Sequence, residues 1–263
     1  MEALLEMQNL TVRFMQRQGK KEFAAVDDIN FRLYSGETLG IVGESGSGKS
    51  TVARAAARLL DVTSGKIFLK GEEITRVSGR KQREIYGTMQ MVFQIPAESF
   101  DPRRTLKDGV GESLRNHGMT KRQAEAEALR LLEQCGLSAK FGERYPKEVS
   151  GGQCQRAAIA RALAIRPELL ILDEATSALD VTVQKQVLEL LKELKASCHM
   201  SYLFISHDLA VVQNFCDRML VMHGGRIVEE GTPDEVIRRP RSEYTKRLVE
   251  ACDFSGFERA RAL

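Results

Sequence analysis

Gly43-Glu44-Ser45-Gly46-Ser47-Gly48-Lys49-Ser50-Thr51 is the stretch that decides how this chain is read. It follows the apolar run Leu39 to Val42 and precedes the helix-compatible Val52 to Leu60, so it predicts strand, tight loop and helix in succession. The glycines permit a turn whose backbone N–H groups converge, and the helix behind it adds the positive end of its dipole. This is the form of a phosphate-binding loop for a purine nucleotide, with Lys49 carrying a point charge to the β and γ phosphates and Ser50 offering a hydroxyl to magnesium. A solvated strand-to-helix turn is the competing reading.

The remainder of the composition narrows what is built around that loop. A chain of 263 residues buries one large core or two modest ones, and a nucleotide-binding core with a helical insertion fits. The 39 basic and 36 acidic residues leave a net charge of +3, too little bias to point to a direct nucleic-acid partner. Cys135, Cys154, Cys198, Cys216 and Cys252 form no short metal-ligand spacing, and the simplest expectation is a reduced cytoplasmic chain. No apolar run approaches the ~20 residues of a membrane-spanning helix. The opening MEALLEMQNL lacks a basic leader, so any work at a membrane is expected to go through a partner.

Outward from the loop, Leu4 to Phe14, Phe23 to Leu33 and Gly65 to Leu69 read as strands that, together with the segment around Leu39, predict an N-terminal sheet leading into the loop, with Gly36 marking the turn before the buried strand. Thr88 to Phe93 is a further strand, stopped by Pro96 and Pro102. From about Leu106 to Gly136 the pattern turns helical, with Ala124, Ala128, Leu131, Leu132 and Cys135 on one apolar face. The second half alternates strand and helix signals at Leu169 to Leu172, Val183 to Leu194, Tyr202 to Ser206, Leu209 to Phe215 and Met219 to Met222. That order predicts an α/β sheet with covering helices. Gly224-Gly225 reads as a hairpin turn before Arg226 to Glu230, and the segment from Thr232 is expected to pack back on the core.

Two clusters give the loop a reaction. Leu169 to Leu172 is a buried strand that ends in Asp173-Glu174: the first suits a magnesium shell and the second a water to be polarised, while a helix-capping pair is the alternative. Phe204-Ile205-Ser206-His207-Asp208 sets a histidine at another strand end, where it is either a functional group or a cap for the next helix. Ser150-Gly151-Gly152-Gln153 offers an anion site at a helix start or an ordinary capped helix.

Together these motifs resemble the ATP-binding subunits of ABC transporters over nearly the whole chain. Val149-Ser150-Gly151-Gly152-Gln153 is similar to the family signature LSGGQ, with valine in first place. The resemblance implies an α/β P-loop NTPase (RecA-like) core with an N-terminal antiparallel β subdomain and an inserted α-helical subdomain. Residues 1–94 and 157–231 would form the nucleotide-binding core, 95–156 the helical subdomain with the signature, and 232–263 a C-terminal helical segment. ATP and Mg2+ are the implied cofactors. Gly43 to Thr51 would cradle the phosphates, and Ser150, Gly151, Gly152 and Gln153 would contact the ATP held by the opposite subunit. Ser50, Gln94 and Asp173 would organise magnesium, with Gln94 also reporting nucleotide state to the helical region. Glu174 would activate water beside Lys49, His207 would contact the γ phosphate, and Asp180 would cross the dimer interface. Phe14 would stack on adenine; Phe23 competes for that role, and a core phenylalanine is the other reading of Phe14.

Within the family, Gln94-Ile95-Pro96-Ala97-Glu98-Ser99-Phe100-Asp101-Pro102-Arg103 and the later Pro240-Arg241-Ser242-Glu243-Tyr244-Thr245 resemble the oligopeptide, dipeptide and nickel importer subfamily. Ile95, Phe100 and Asp101 depart from its usual residues there. The resemblance implies an ATPase that powers import of peptides, nickel or metal chelates through closure of a homo- or heterodimer with a second ATP-binding subunit. Its partners would be integral-membrane permease subunits and, indirectly, a substrate-binding protein. Its place would be the cytoplasmic face of the membrane, held peripherally by the permease. A soluble ATPase module acting in regulation, on nucleic acid or on ribosomes is the alternative.

Overall fold

The computed structural model describes residues 2–15 and 22–252. In chain order the elements are β1 (Ala3–Met15), β2 (Glu22–Tyr34), β3 (Thr38–Val42), α1 (Lys49–Ala56), β4 (Ser64–Leu69), β5 (Glu72–Glu73), α2 (Gly79–Thr88), β6 (Met89–Val92), α3 (Leu106–Asn116), α4 (Lys121–Gln134) and α5 (Gly151–Leu163). They continue as β7 (Leu169–Asp173), α6 (Val181–Cys198), β8 (Ser201–Ile205), α7 (Leu209–Phe215), β9 (Arg218–His223), β10 (Arg226–Gly231), α8 (Pro233–Arg238) and α9 (Glu243–Glu250). The described residues group into two compact units, one within Met1–Ser78 and Ser201–Leu263, the other Gly79–Met200.

The first unit carries the phosphate loop. Its N-terminal strands pair antiparallel in the order β2-β1-β4-β5. β3, the strand around Leu39 expected in that sheet, lies outside it in the order β10-β9-β3-β8, parallel to both β8 and β9 because its buried residues pair with strands from the end of the chain. Every residue of β3 and β8 is buried, as strands with both faces covered require. Gly224-Gly225 makes the β9–β10 turn as read from sequence, and α8 and α9 pack back on β9 and β10. Residues from 253 on, the end of the expected C-terminal segment, lie outside the described residues.

In the second unit the parallel pair β6–β7 packs through β6 on α5 and α2, and α3 and α4 pack on each other and on α5. The helical pattern expected from about Leu106 to Gly136 is met by two helices, α3 and α4. Gly118, at φ 92°, turns the chain, and Thr120 opens α4 with a capping box to Gln123. The apolar face itself is as read, since Ala124, Ala128, Leu131, Leu132 and Cys135 are all buried. Helix α2 carries no legible stripe because Ile85 is its one buried residue. Helix α1 begins earlier and ends earlier than the apolar run suggested, closing before Arg58 takes φ 56°.

Candidate functional site

Backbone geometry shapes the loop between β3 and α1. Gly43 and Gly48 have φ of 150° and 106°, values that side-chain-bearing residues rarely adopt. A Cβ on Gly43 would collide with the Met222 carbonyl oxygen, and one on Gly48 with that of Ala25. The loop therefore lies directly against neighbouring backbone. The N-cap of α1 is Gly48, which has no side chain to offer the first-turn N–H groups, and these groups face the loop.

Lys49 is 4% exposed, and its ammonium donates to the carbonyl oxygens of Gly43 at 2.7 Å and Glu44 at 2.8 Å. The Ser47 hydroxyl is buried with no hydrogen-bond partner among the described residues. An orphaned hydroxyl costs roughly 1–3 kcal/mol, and a phosphate oxygen within the loop is an acceptor that would satisfy it. Glycine backbone, a buried lysine and an unsatisfied hydroxyl together fit a phosphate group. Among the described residues no three His, Cys, Asp or Glu side chains gather as a metal site. A magnesium ion held through one or two carboxylates, a hydroxyl and nucleotide phosphates needs no such cluster.

In the second unit β6 and β7 run parallel with Val92 opposite Leu172. Carried two residues past that pair, the register sets Gln94 opposite Glu174, and Gln94 Nε2 donates to Glu174 Oε2 at 2.9 Å. Asp173 is buried at the end of β7, while Glu174 turns outward through a left-handed φ of 48°. The adjacent carboxylates thus occupy different environments. They do not cap the next helix: Asp180 does, its Oδ1 accepting from the Val183 N–H at 3.0 Å.

The ABC transporter family model matches residues 26–177. The chain belongs to the ABC transporter ATP-binding family. It is 46% identical to the oligopeptide transport ATP-binding protein OppF of Bacillus subtilis, over 95% of this chain and 82% of that one. It is 45% identical to OppF of Salmonella typhimurium over 94% and 77% of the two chains. Identity to the glutathione import ATP-binding protein GsiA of Escherichia coli is 44%, over 95% of this chain and 41% of that longer protein. Among solved structures, the dimeric post-hydrolysis state of the ATP-binding cassette MJ0796 bound to ADP and Pi superposes with a TM-score of 0.80 at 27% identity, covering 87% of this chain and 98% of that one. CbiO1 of Clostridium perfringens matches with a TM-score of 0.78 at 25% identity over 100% of both chains. The fold is accordingly the RecA-like P-loop core of ABC ATPases with its N-terminal β subdomain and helical subdomain.

The remaining residues singled out in this ABC ATPase fall as follows. β8 runs parallel beside β3 with Ile205 opposite Ile41, and His207 follows two residues beyond that pair. His207 is exposed and is not the cap of α7; Asp208 caps it, with Oδ1 accepting from the Ala210 and Val211 N–H groups at 2.9 and 3.1 Å. Ser150 starts α5 in a capping box, its Oγ accepting from the Gln153 N–H at 3.3 Å while Gln153 Oε1 accepts from the Ser150 N–H at 2.9 Å. Ser150, Gly151 and Asp180 are exposed and Gly152 is buried. Phe14 and Phe23 are cross-strand partners, 42% and 51% exposed, so neither is a core residue. As direct partners the two rings emerge on the same sheet face.

Two contacts were not foreseen from sequence. Arg161 of α5 donates to the Ser99 carbonyl and lies over the Phe100 ring with Cζ 4.9 Å from its centroid. Burial pulls this guanidinium below its usual pKa range, against the opposing field of Glu112. The segment after Gln94 is thereby tied to the helix that begins at Ser150. The second contact joins Tyr244 to Glu44 of the phosphate loop.

Proposed function

We propose that this ABC ATPase hydrolyses ATP at the γ phosphate and that the hydrolysis cycle drives a peptide importer. The observation that carries the catalytic reading is the Gln94–Glu174 hydrogen bond at the end of the β6–β7 pair. It holds a carboxylate in a defined place, ready to orient a water and accept its proton. Lys49 and the loop amides would stabilise phosphate charge, and His207 would approach the γ phosphate from the end of β8. Ser50, Gln94 and Asp173 would hold magnesium, which when bound supplies charge neutralisation at the phosphates. Phe14, with Phe23 beside it, offers an exposed aromatic surface to adenine.

In this reading Ser150 to Gln153 and Asp180 act across a head-to-tail dimer whose closure is the power step. The second copy is this chain or a related subunit, and both sit at the cytoplasmic face of a membrane by docking on permease subunits fed by a substrate-binding protein. Among the described residues no helix is long and apolar enough to span a membrane. Peptide is favoured over nickel or a metal chelate as cargo because the similar proteins named above carry oligopeptide and glutathione import in their names. The test is purification of the native chain from detergent extracts followed by ATPase assay of the assembly. Copurification with a permease and hydrolysis that rises with a peptide-loaded binding protein is the expected outcome. Reproducible copurification with ribosomes or DNA, and never a permease, would overturn it.

A further inference from the structure

The Pro240 to Thr245 segment has a place in the fold that the catalytic reading does not use. The Glu44 N–H, at the second residue of the phosphate loop, donates to the Tyr244 hydroxyl oxygen at 3.0 Å across 200 residues of sequence. The Tyr244 side chain is 7% exposed, and its ring stacks on His223 with centroids 4.0 Å apart. His223 ends β9, and the β3–β9 pairing, Val42 opposite Val221, carried two residues further sets Glu44 opposite His223. One tyrosine therefore braces both the loop and the strand end next to it.

The brace is itself anchored. Glu229 of β10 accepts from the Arg241 N–H at 2.9 Å and the Ser242 N–H at 3.0 Å through its two carboxylate oxygens. Ser242 Oγ accepts from the Tyr244 N–H at 3.2 Å, which fixes the first turn of α9. On the loop side the same Glu44 residue gives its carbonyl to Lys49 Nζ at 2.8 Å. Its N–H goes to Tyr244 and its C=O accepts from Lys49 and from the Ser47 N–H, so the tyrosine sets the orientation of a residue tied to the loop's lysine and to its turn. Burial holds the Tyr244 phenol above its ordinary pKa, so it stays neutral at working pH.

We propose that Tyr244 is a positioning residue of the nucleotide site: through the Glu44 N–H it fixes the entry of the phosphate loop, and helix α9 is the strut that holds it there. The inference rests on the ATPase reading above. The experiment begins with ATP hydrolysis by the full wild-type chain, whose absence together with absent ATP binding would count against that reading itself.

Given an active wild type, Tyr244→Phe keeps the ring on His223 and deletes only the hydroxyl. We expect KM for ATP to rise about five-fold, the equivalent of the ~1 kcal/mol of one hydrogen bond, with kcat within about two-fold. The melting midpoint should fall by no more than about 2–4 °C. Glu229→Ala, which frees the start of α9 without touching the loop, should raise KM in the same way, and the double variant should be less than additive because both act on one contact. A folded Tyr244→Phe chain with wild-type KM overturns the proposal, as do fully additive KM effects. Should Tyr244→Phe not fold, an unchanged KM in Glu229→Ala overturns it equally.

Discussion

Gln94 and Glu174 lie 80 residues apart and are joined at 2.9 Å because each stands two residues beyond a matched pair in adjacent parallel strands. The relationship needs no special loop. A parallel register delivers two side chains to the same edge of a sheet, where ligands of open α/β sheets bind. Glu174 adds a left-handed backbone conformation, an uncommon state for a residue with a side chain, and the chain turns there rather than entering a helix.

Lys49→Ala removes a buried ammonium that donates to the Gly43 and Glu44 carbonyls. The loop loses two internal bonds and, in the proposed function, the phosphate loses its fixed cation. ATP affinity should fall by at least about ten-fold and phosphate release by about 10²-fold or more, as expected for a group that stabilises transferred charge. Nucleotide titration and phosphate release on folded protein check this, and unchanged values for both would remove Lys49 from the site.

Gly152 lies where any Cβ would press into Val183 of α6. The overlap is severe, so Gly152→Ala should cost about 2–3 kcal/mol through overpacking, which outweighs the roughly 1 kcal/mol that alanine gains within a helix. Adding Val183→Ala should recover much of the loss. Denaturant melts of the single and double variants measure it, and a Gly152→Ala chain as stable as wild type would contradict the close approach of α5 and α6.

The five cysteines lie in unequal surroundings. Burial pushes Cys135 up to about 12 and Cys154 up to about 11, whereas Cys198 is exposed. Since the thiolate is the nucleophile, at pH 8 an alkylating reagent should modify Cys198 well before Cys135 or Cys154. Peptide mapping after timed alkylation reads the order, and early loss of Cys135 would show that its helix pair opens readily.

The phosphate loop, the apolar strand before Asp173 and the signature turn were legible because their chemistry is local: residue type, spacing and neighbouring runs suffice. Helix boundaries were less so. Gly118 and the Thr120 cap divide a stretch whose apolar spacing alone continues through the break, and α2 buries too little to show a stripe. The tie from Tyr244 to Glu44 depends on which strand lies beside β3 and on where α9 packs, and neither is written in any local window. Phe14 follows the same logic: its exposure beside Phe23 comes from the β1–β2 register, and composition alone does not separate it from a core ring.

Glu174→Gln tests the central claim most directly, since the isosteric amide keeps shape and loses the capacity to take a proton from water. Phosphate release and light scattering are followed in parallel for wild type and variant with ATP and magnesium. The account expects ATP binding to be retained, phosphate release to drop by about 10²-fold or more, and an ATP-stabilised dimer to accumulate because nucleotide bound to the closed state is no longer consumed. Wild-type phosphate release by the Glu174→Gln chain would contradict it.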